Sequence, residues 1–261
     1  MLKISDLCVD IWEKQILKNV SLDFEIGKTY FLLGKNGSGK SSLAYSIAGH
    51  PRYRIVSWMI EADSHDVRIQ DVASKAKLWI FLSFQNVPEI RWIRLGEYLR
   101  TIYNISEKSK NPSHRDVSPF IFERFIDVYL KELQIPKEML KRDLSVWFSG
   151  WEKRKIELLQ MKLLNPKYII LDEIDSGLDV DAFKKVATFL QTIKNPNNTL
   201  IFITHNFNLM DFLDVDKVYV MDSWKVIDSW WKELVENIMQ NWYCNYCKHE
   251  DPNCDLSTKC A

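Results

Sequence analysis

Eight consecutive residues, Gly34-Lys35-Asn36-Gly37-Ser38-Gly39-Lys40-Ser41, constrain the fold of this chain more than any other stretch. They match G-x-x-x-x-G-K-[ST] in full. The apolar run Tyr30 to Leu33 leads in, and Ser42 to Ala48 leads out with helical spacing. A strand that turns through glycines into a helix points successive N–H groups and the helix dipole at one place, which is a cradle for phosphate. Gly34, Asn36, Gly37, Ser38, Gly39 and Ser42 belong to that nucleotide-binding set. Lys40 is placed to reach the β- and γ-phosphates, and Ser41 to ligate Mg²⁺.

A second stretch completes the chemistry that the first begins. Tyr168-Ile169-Ile170-Leu171 is a buried-strand pattern that delivers Asp172 and Glu173 at its carboxyl end, where open α/β sheets hold their ligands. Asp172 would hold Mg²⁺ through water, and Glu173 would polarise the water that attacks the γ-phosphate. Gln85 after Phe84, and His205 after Ile201-Phe202-Ile203-Thr204, stand at two further strand ends. Either alone is more often structural than functional; their order along the chain gives them weight.

The rest of the chain reads as alternating strands and helices, the pattern of an α/β fold. Strands are expected over 2–11, 16–26, 79–84, 168–171, 199–203, 217–221 and 225–228, with short pieces in 53–72. Helices are expected over 120–134, 152–164 and 180–193. Residues 94–146 read as mostly helical, broken by a polar surface loop from Ser106 to Ser118. The organisation is one domain over 1–242, with a helical subdomain inserted at about 86–164, followed by a cysteine-rich tail over 243–261. Thirty-five basic and thirty-five acidic side chains cancel, which argues against nucleic acid as a partner. No apolar run approaches the roughly 18 residues of a membrane span, and the first residues lack a secretory leader. A cytoplasmic protein with no membrane insertion is the expectation.

The order P-loop, Gln85, Phe148-Ser149-Gly150-Trp151-Glu152, Asp172-Glu173, Ser176-Gly177-Leu178-Asp179, His205 resembles the ATP-binding cassette (ABC) ATPases across residues 1 to about 235. The resemblance implies a P-loop ATPase core with an N-terminal antiparallel β-subdomain and an inserted α-helical subdomain. It makes Gln85 the residue that senses Mg²⁺ and the coupled partner, and His205 the histidine that holds the γ-phosphate. Ser149, Gly150, Trp151 and Glu152 become the signature loop that caps ATP on a second copy, and Asp179 crosses the interface. ATP would be hydrolysed in a transient head-to-tail homodimer. Within the family, Asp172 to Ala182, Phe81 to Ile90 and the Glu152-Lys153-Arg154-Lys155 continuation are similar to the SufC-type ATPases of iron–sulfur cluster assembly. These work with SufB and SufD scaffold proteins, or with two SufB copies. The ATP-binding subunit of an ABC transporter is the alternative, and Asp175, where transporter cassettes commonly carry Thr, argues against it.

One departure from the family pattern is steric. Trp151 occupies the second glycine of the signature, where main chain must approach a phosphate. Trp12, Trp58, Trp79, Trp92, Trp147, Trp224, Trp230, Trp231 and Trp242 also fall where SufC-like sequences usually have glycine. The chain has eight glycines and ten tryptophans, together about 7% of its residues, the ordinary share for glycine alone. These positions are therefore read as UGA codons inserted as glycine by the source organism; authentic tryptophans in a degenerate, non-hydrolysing module are the alternative. Trp12 lies near the family's adenine-stacking aromatic, but Ile11 takes that place, so base stacking is expected to be weak. Beyond the resemblance, Cys244, Cys247, Cys254 and Cys260 either bind Zn²⁺ tetrahedrally or are reduced thiols at a polar terminus.

Overall fold

The computed structural model describes residues 1–67, 79–83, 89–175, 180–204, 210 and 212–231. The chain opens with an antiparallel hairpin of β1 (Leu2–Ile11) and β2 (Lys14–Phe24). Strict alternation along β2 would turn either Leu17 or Val20 outward, since they are an odd number of residues apart. A register shift between the pairs Leu7–Val20 and Val9–Leu17 keeps both inside. β3 (Thr29–Leu33), buried at every position, then runs into α1 (Lys40–Ala48). β4 (Arg54–Ala62) and β5 (His65–Asp66) complete a four-stranded antiparallel sheet of order β2-β1-β4-β5.

After β6 (Ile80–Ser83), the chain leaves the sheets for a helical region. A short pair, β7 (Ile90–Arg94) with β8 (Asp143–Leu144), closes its base. Between them lie α2 (Leu95–Lys110) and α3 (Pro119–Glu132). Ser118 caps α3 and Pro119 opens it, while Phe122, Ile126 and Leu130, four residues apart, bury one stripe. α4 (Gly150–Leu164) returns the chain to β9 (Tyr168–Asp172), α5 (Val180–Ile193), β10 (Thr199–Ile203), β11 (Lys217–Asp222) and β12 (Lys225–Trp231).

The central sheet has the order β12-β11-β3-β10-β9-β6, parallel except for β12. Its strands divide the core in two. Phe31, Leu33, Ile169 and Leu171 face the helical region, whereas Tyr30, Leu32, Tyr168 and Ile170 face the β1–β2 sheet. Burial on both faces is why these strands are apolar without alternating. Because β3, β10 and β9 run parallel and in register, Leu33, Ile203 and Asp172 all end at the same side of the sheet.

Two expectations are corrected. α2 continues to Lys110, through the first residues of the stretch read as loop. Glu107 and Lys110 pair at 2.7 Å along its last turn, and polarity had marked a surface without marking its conformation. The β7–β8 pair falls at the edges of a region expected to be mostly helical; it joins residues about fifty positions apart, which leaves no local signal. Among the described residues, no helix is long and apolar enough to cross a membrane.

Candidate active site

The glycines of the P-loop answer to their surroundings. Gly34 has φ of 152°, and a Cβ there would lie 2.2 Å from the Met221 carbonyl oxygen at the end of β11. Gly39, with φ of 106°, is the N-cap of α1, and a Cβ on it would press against Leu17 of β2. The β11–β12 turn adds a direct strut, the Trp224 amide donating to the Ser38 carbonyl oxygen at 3.1 Å. Nothing near the motif in sequence announces these supports.

Lys40 lies buried within the loop, and its ammonium donates to the carbonyl oxygens of Gly34 at 2.6 Å and Lys35 at 2.9 Å. Burial lowers its pKa below the ordinary lysine value, and the Glu173 and Asp172 carboxylates partly oppose that. Ser41 donates to Asp172 Oδ1 at 3.0 Å, so two of the three expected Mg²⁺ residues, 131 positions apart, meet. Asp172 Oδ2 is buried with no hydrogen-bond partner among the described residues. Burial, with Glu173 nearby, pushes the Asp172 carboxyl up to about 6 against the pull of Ser41 and Lys40. An unpartnered carboxylate oxygen beside a serine hydroxyl is a pair of oxygen donors that fits a hard divalent cation, while the neighbouring Lys40 ammonium suits phosphate. When bound, Mg²⁺ would supply charge neutralisation for the phosphates.

Glu173 follows Asp172 with φ of 49°, an uncommon backbone for a glutamate, and its amide donates to the Ile203 carbonyl oxygen at 2.8 Å. Such conformations cost about 1–3 kcal/mol and gather at active sites. Two residues on, both oxygens of Asp175 accept from the Thr204 hydroxyl at 3.1 Å. That contact ties the segment after β9 to the end of β10, one residue before His205. Sequence reasoning singled out Asp175 as a family mark but missed this partner, which only the strand order brings close. Gln85, Asp179, His205, Cys244, Cys247, Cys254 and Cys260 lie outside the described residues.

At the start of α4, Ser149 and Glu152 form a reciprocal cap. Ser149 Oγ accepts from the Glu152 amide at 3.2 Å, and the Glu152 carboxylate accepts from the Ser149 amide at 2.7 Å. The bond from that amide holds the Glu152 carboxyl below its ordinary pKa. Glu152 thus works within its own helix. Among the described residues, and apart from its chain neighbours and own helix backbone, a Cβ on Gly150 would meet nothing within 4 Å. Trp151 has helical backbone, and its partly buried ring packs on the helical core with the Lys155 ammonium 5.5 Å from its centroid.

Other tryptophans occupy backbone that does not suit them. Trp12, Trp79, Trp92, Trp147 and Trp224 have φ between 55° and 70°. For so bulky a residue that is an outlier, costing about 1–2 kcal/mol each. Trp12, Trp92 and Trp147 are also 86%, 92% and 83% exposed, so packing does not repay the strain. Trp58, Trp230 and Trp231 lie in strands, and Trp242 is outside the described residues.

Comparison with known proteins agrees with this geometry. The family described as "ABC transporter" matches residues 17–176. The chain is 40% identical over 227 residues to the "Probable ATP-dependent transporter ycf16" of Antithamnion sp., covering 87% of this chain and 90% of that one. It is 36% identical over 250 residues to the "Iron-sulfur cluster assembly protein SufC" of Plasmodium falciparum, covering 95% and 72%. The fold is that of the dimeric bacterial ABC transporter cassette MJ0796, with a TM-score of 0.73 at 18% identity over 88% of this chain and 98% of that one. With the P-loop, the buried Asp172 and the six-stranded sheet in place, the chain belongs to the ABC ATPase family as a SufC-like ATP hydrolase.

Proposed function

We propose that this ATPase drives iron–sulfur cluster assembly on a scaffold of the SufB/SufD kind. The observation that carries the reading is likeness to SufC over 95% of the chain, far beyond the nucleotide motifs that all cassettes share. ATP is bound in one copy by Gly34, Asn36, Gly37, Ser38, Gly39, Lys40, Ser41 and Ser42. Ser41, Asp172 and Gln85 hold Mg²⁺, Glu173 activates water and His205 steadies the γ-phosphate. Ser149, Gly150 and residue 151, with Asp179, close over that nucleotide from a second copy.

The reading includes glycine at the ten tryptophan positions in the native protein. Five indoles on left-handed backbone support it, as does the difficulty of seating Trp151 over a phosphate. Mass spectrometry of protein from its own host decides this point: a glycine-mass peptide at position 151 is expected, and tryptophan there refutes it.

A transporter subunit is the second reading, favoured by the name of the ycf16 relative. To separate the two, the chain with glycine at the ten positions is mixed with the SufB- and SufD-type proteins of its own source. Stimulated ATP hydrolysis that Glu173→Gln lowers by at least about a hundredfold is expected. Stimulation only by a membrane-spanning partner would favour the transporter. Metal analysis with and without residues 244–261 tests Zn²⁺ at the four cysteines, and equal zinc in both ends that part of the reading.

A further inference from the structure

Three buried polar side chains have no part in the chemistry described above. Arg154 of α4 donates from Nη1 to Glu157 Oε2 at 2.5 Å and to Ser83 Oγ at 2.8 Å; Ser83, the last residue of β6, donates to Glu157 Oε1 at 3.0 Å. The ring is closed, and all three residues are buried. At its rim, Lys153 pairs with Glu89 at 2.9 Å. Consecutive residues of α4 thus hold Ser83 and Glu89, the positions on either side of residues 84–88. The same helix begins with Ser149 and Gly150, one turn earlier.

A buried ion pair is a poor source of stability, because desolvation offsets its attraction and apolar residues of the same volume do as well. What a closed, charge-assisted ring supplies is a fixed geometry. Here it fixes the edge strand of the nucleotide-binding sheet against the helix whose first turn must meet a second copy.

We propose that Ser83, Arg154 and Glu157, with the Lys153–Glu89 pair beside them, are positioning residues that hold α4 where its first turn can cap ATP on a second copy. They set the strength of ATP-driven pairing while leaving ATP binding within one copy untouched. This rests on the head-to-tail reading given above.

The test uses the full chain with glycine at the ten positions and Glu173→Gln to prevent turnover, followed by sedimentation in ATP. The parent is expected to dimerise. R154M/E157L, which exchanges the charges for apolar bulk, should bind ATP as a monomer within twofold of the parent, yet need at least tenfold more protein to pair. Pairing at the parent's concentration overturns the proposal. Should that variant not fold, Ser83→Ala decides by the same readout, with weakened pairing at unchanged monomer affinity expected and unchanged pairing overturning it. A parent that stays monomeric in ATP overturns the head-to-tail reading and this inference together, whereas normal pairing in the variants sinks the inference alone.

Discussion

The P-loop and the signature loop both lie at helix N-termini and both depend on glycine, but for different reasons. In the P-loop the requirement comes from within the chain, since Gly34 has no room for a Cβ beside Met221. At the signature loop, among the described residues and apart from its chain neighbours and own helix backbone, no atom lies within 4 Å of a Cβ on Gly150, and the Trp151 backbone is helical. On the head-to-tail reading proposed above, a glycine that its own fold does not demand is kept small for something outside the fold. The contrast would then separate residues that build one copy from residues that a second copy reads.

The largest expected effect attacks the first half of this comparison. Gly34→Ala should lower stability by about 3 kcal/mol or more and remove ATP binding, as chemical denaturation and equilibrium binding would measure. Gly150→Ala should move stability by less than about 1 kcal/mol while lowering turnover. Similar losses of stability in the two variants would break the distinction.

Next in size is Trp151→Gly, made in the chain already carrying glycine at the other nine positions. Turnover should rise at least about a hundredfold, the order expected when a misplaced catalytic assembly is corrected. ATP affinity of the monomer should stay constant, and a parallel change in affinity would mean that position 151 is read within one copy after all.

Smaller still are Trp12, Trp79, Trp92, Trp147 and Trp224. Each change to glycine should raise stability by about 1 kcal/mol through relief of the left-handed backbone, less what the more flexible unfolded chain takes back. Trp58→Gly and Trp230→Gly, in strands, should do the opposite, which sharpens the division between left-handed backbone, found even inside β7 at Trp92, and regular strand backbone.

The smallest effect is a control remote from both loops. Burial alone would raise the Asp63 carboxyl, but bonds from Lys167, the Met1 amine and the Tyr168 hydroxyl outweigh it and hold the pKa at about 2. Its stabilisation is complete above the unfolded value near 3.8 and fades as pH falls toward 2. Solvent screening keeps it below about 1 kcal/mol. Acid denaturation of Asp63→Asn should lose this dependence, and the loss should be the same in the Gly34 and Gly150 variants.

Much of the site was legible because it is written in local backbone chemistry. Gly34 to Ser41 named its own strand, turn and helix, and Tyr168 to Asp172 gave a strand buried on both faces. Ser149 and Glu152 carried the S-x-x-E spacing of a helix cap, although the family signature drew attention away from it. The supports were not legible. The Met221 carbonyl, the Trp224 amide and the Thr204 hydroxyl reach the site from strands far along the chain, and no periodicity encodes which strands become neighbours.

By itself, the sequence determined the phosphate cradle, the carboxylates at the end of β9 and the α/β alternation, since each follows from backbone sterics and burial within a few residues. Tertiary structure alone decided that Ser41 meets Asp172 across 131 positions, that Asp172 keeps an oxygen unpartnered among the described residues, and that Ser83 closes a ring with Arg154 and Glu157. These depend on strand order and helix docking, and many residues share in fixing them. The five left-handed tryptophans belong to both levels: composition raised the suspicion of glycine, and the backbone angles gave it a physical cost.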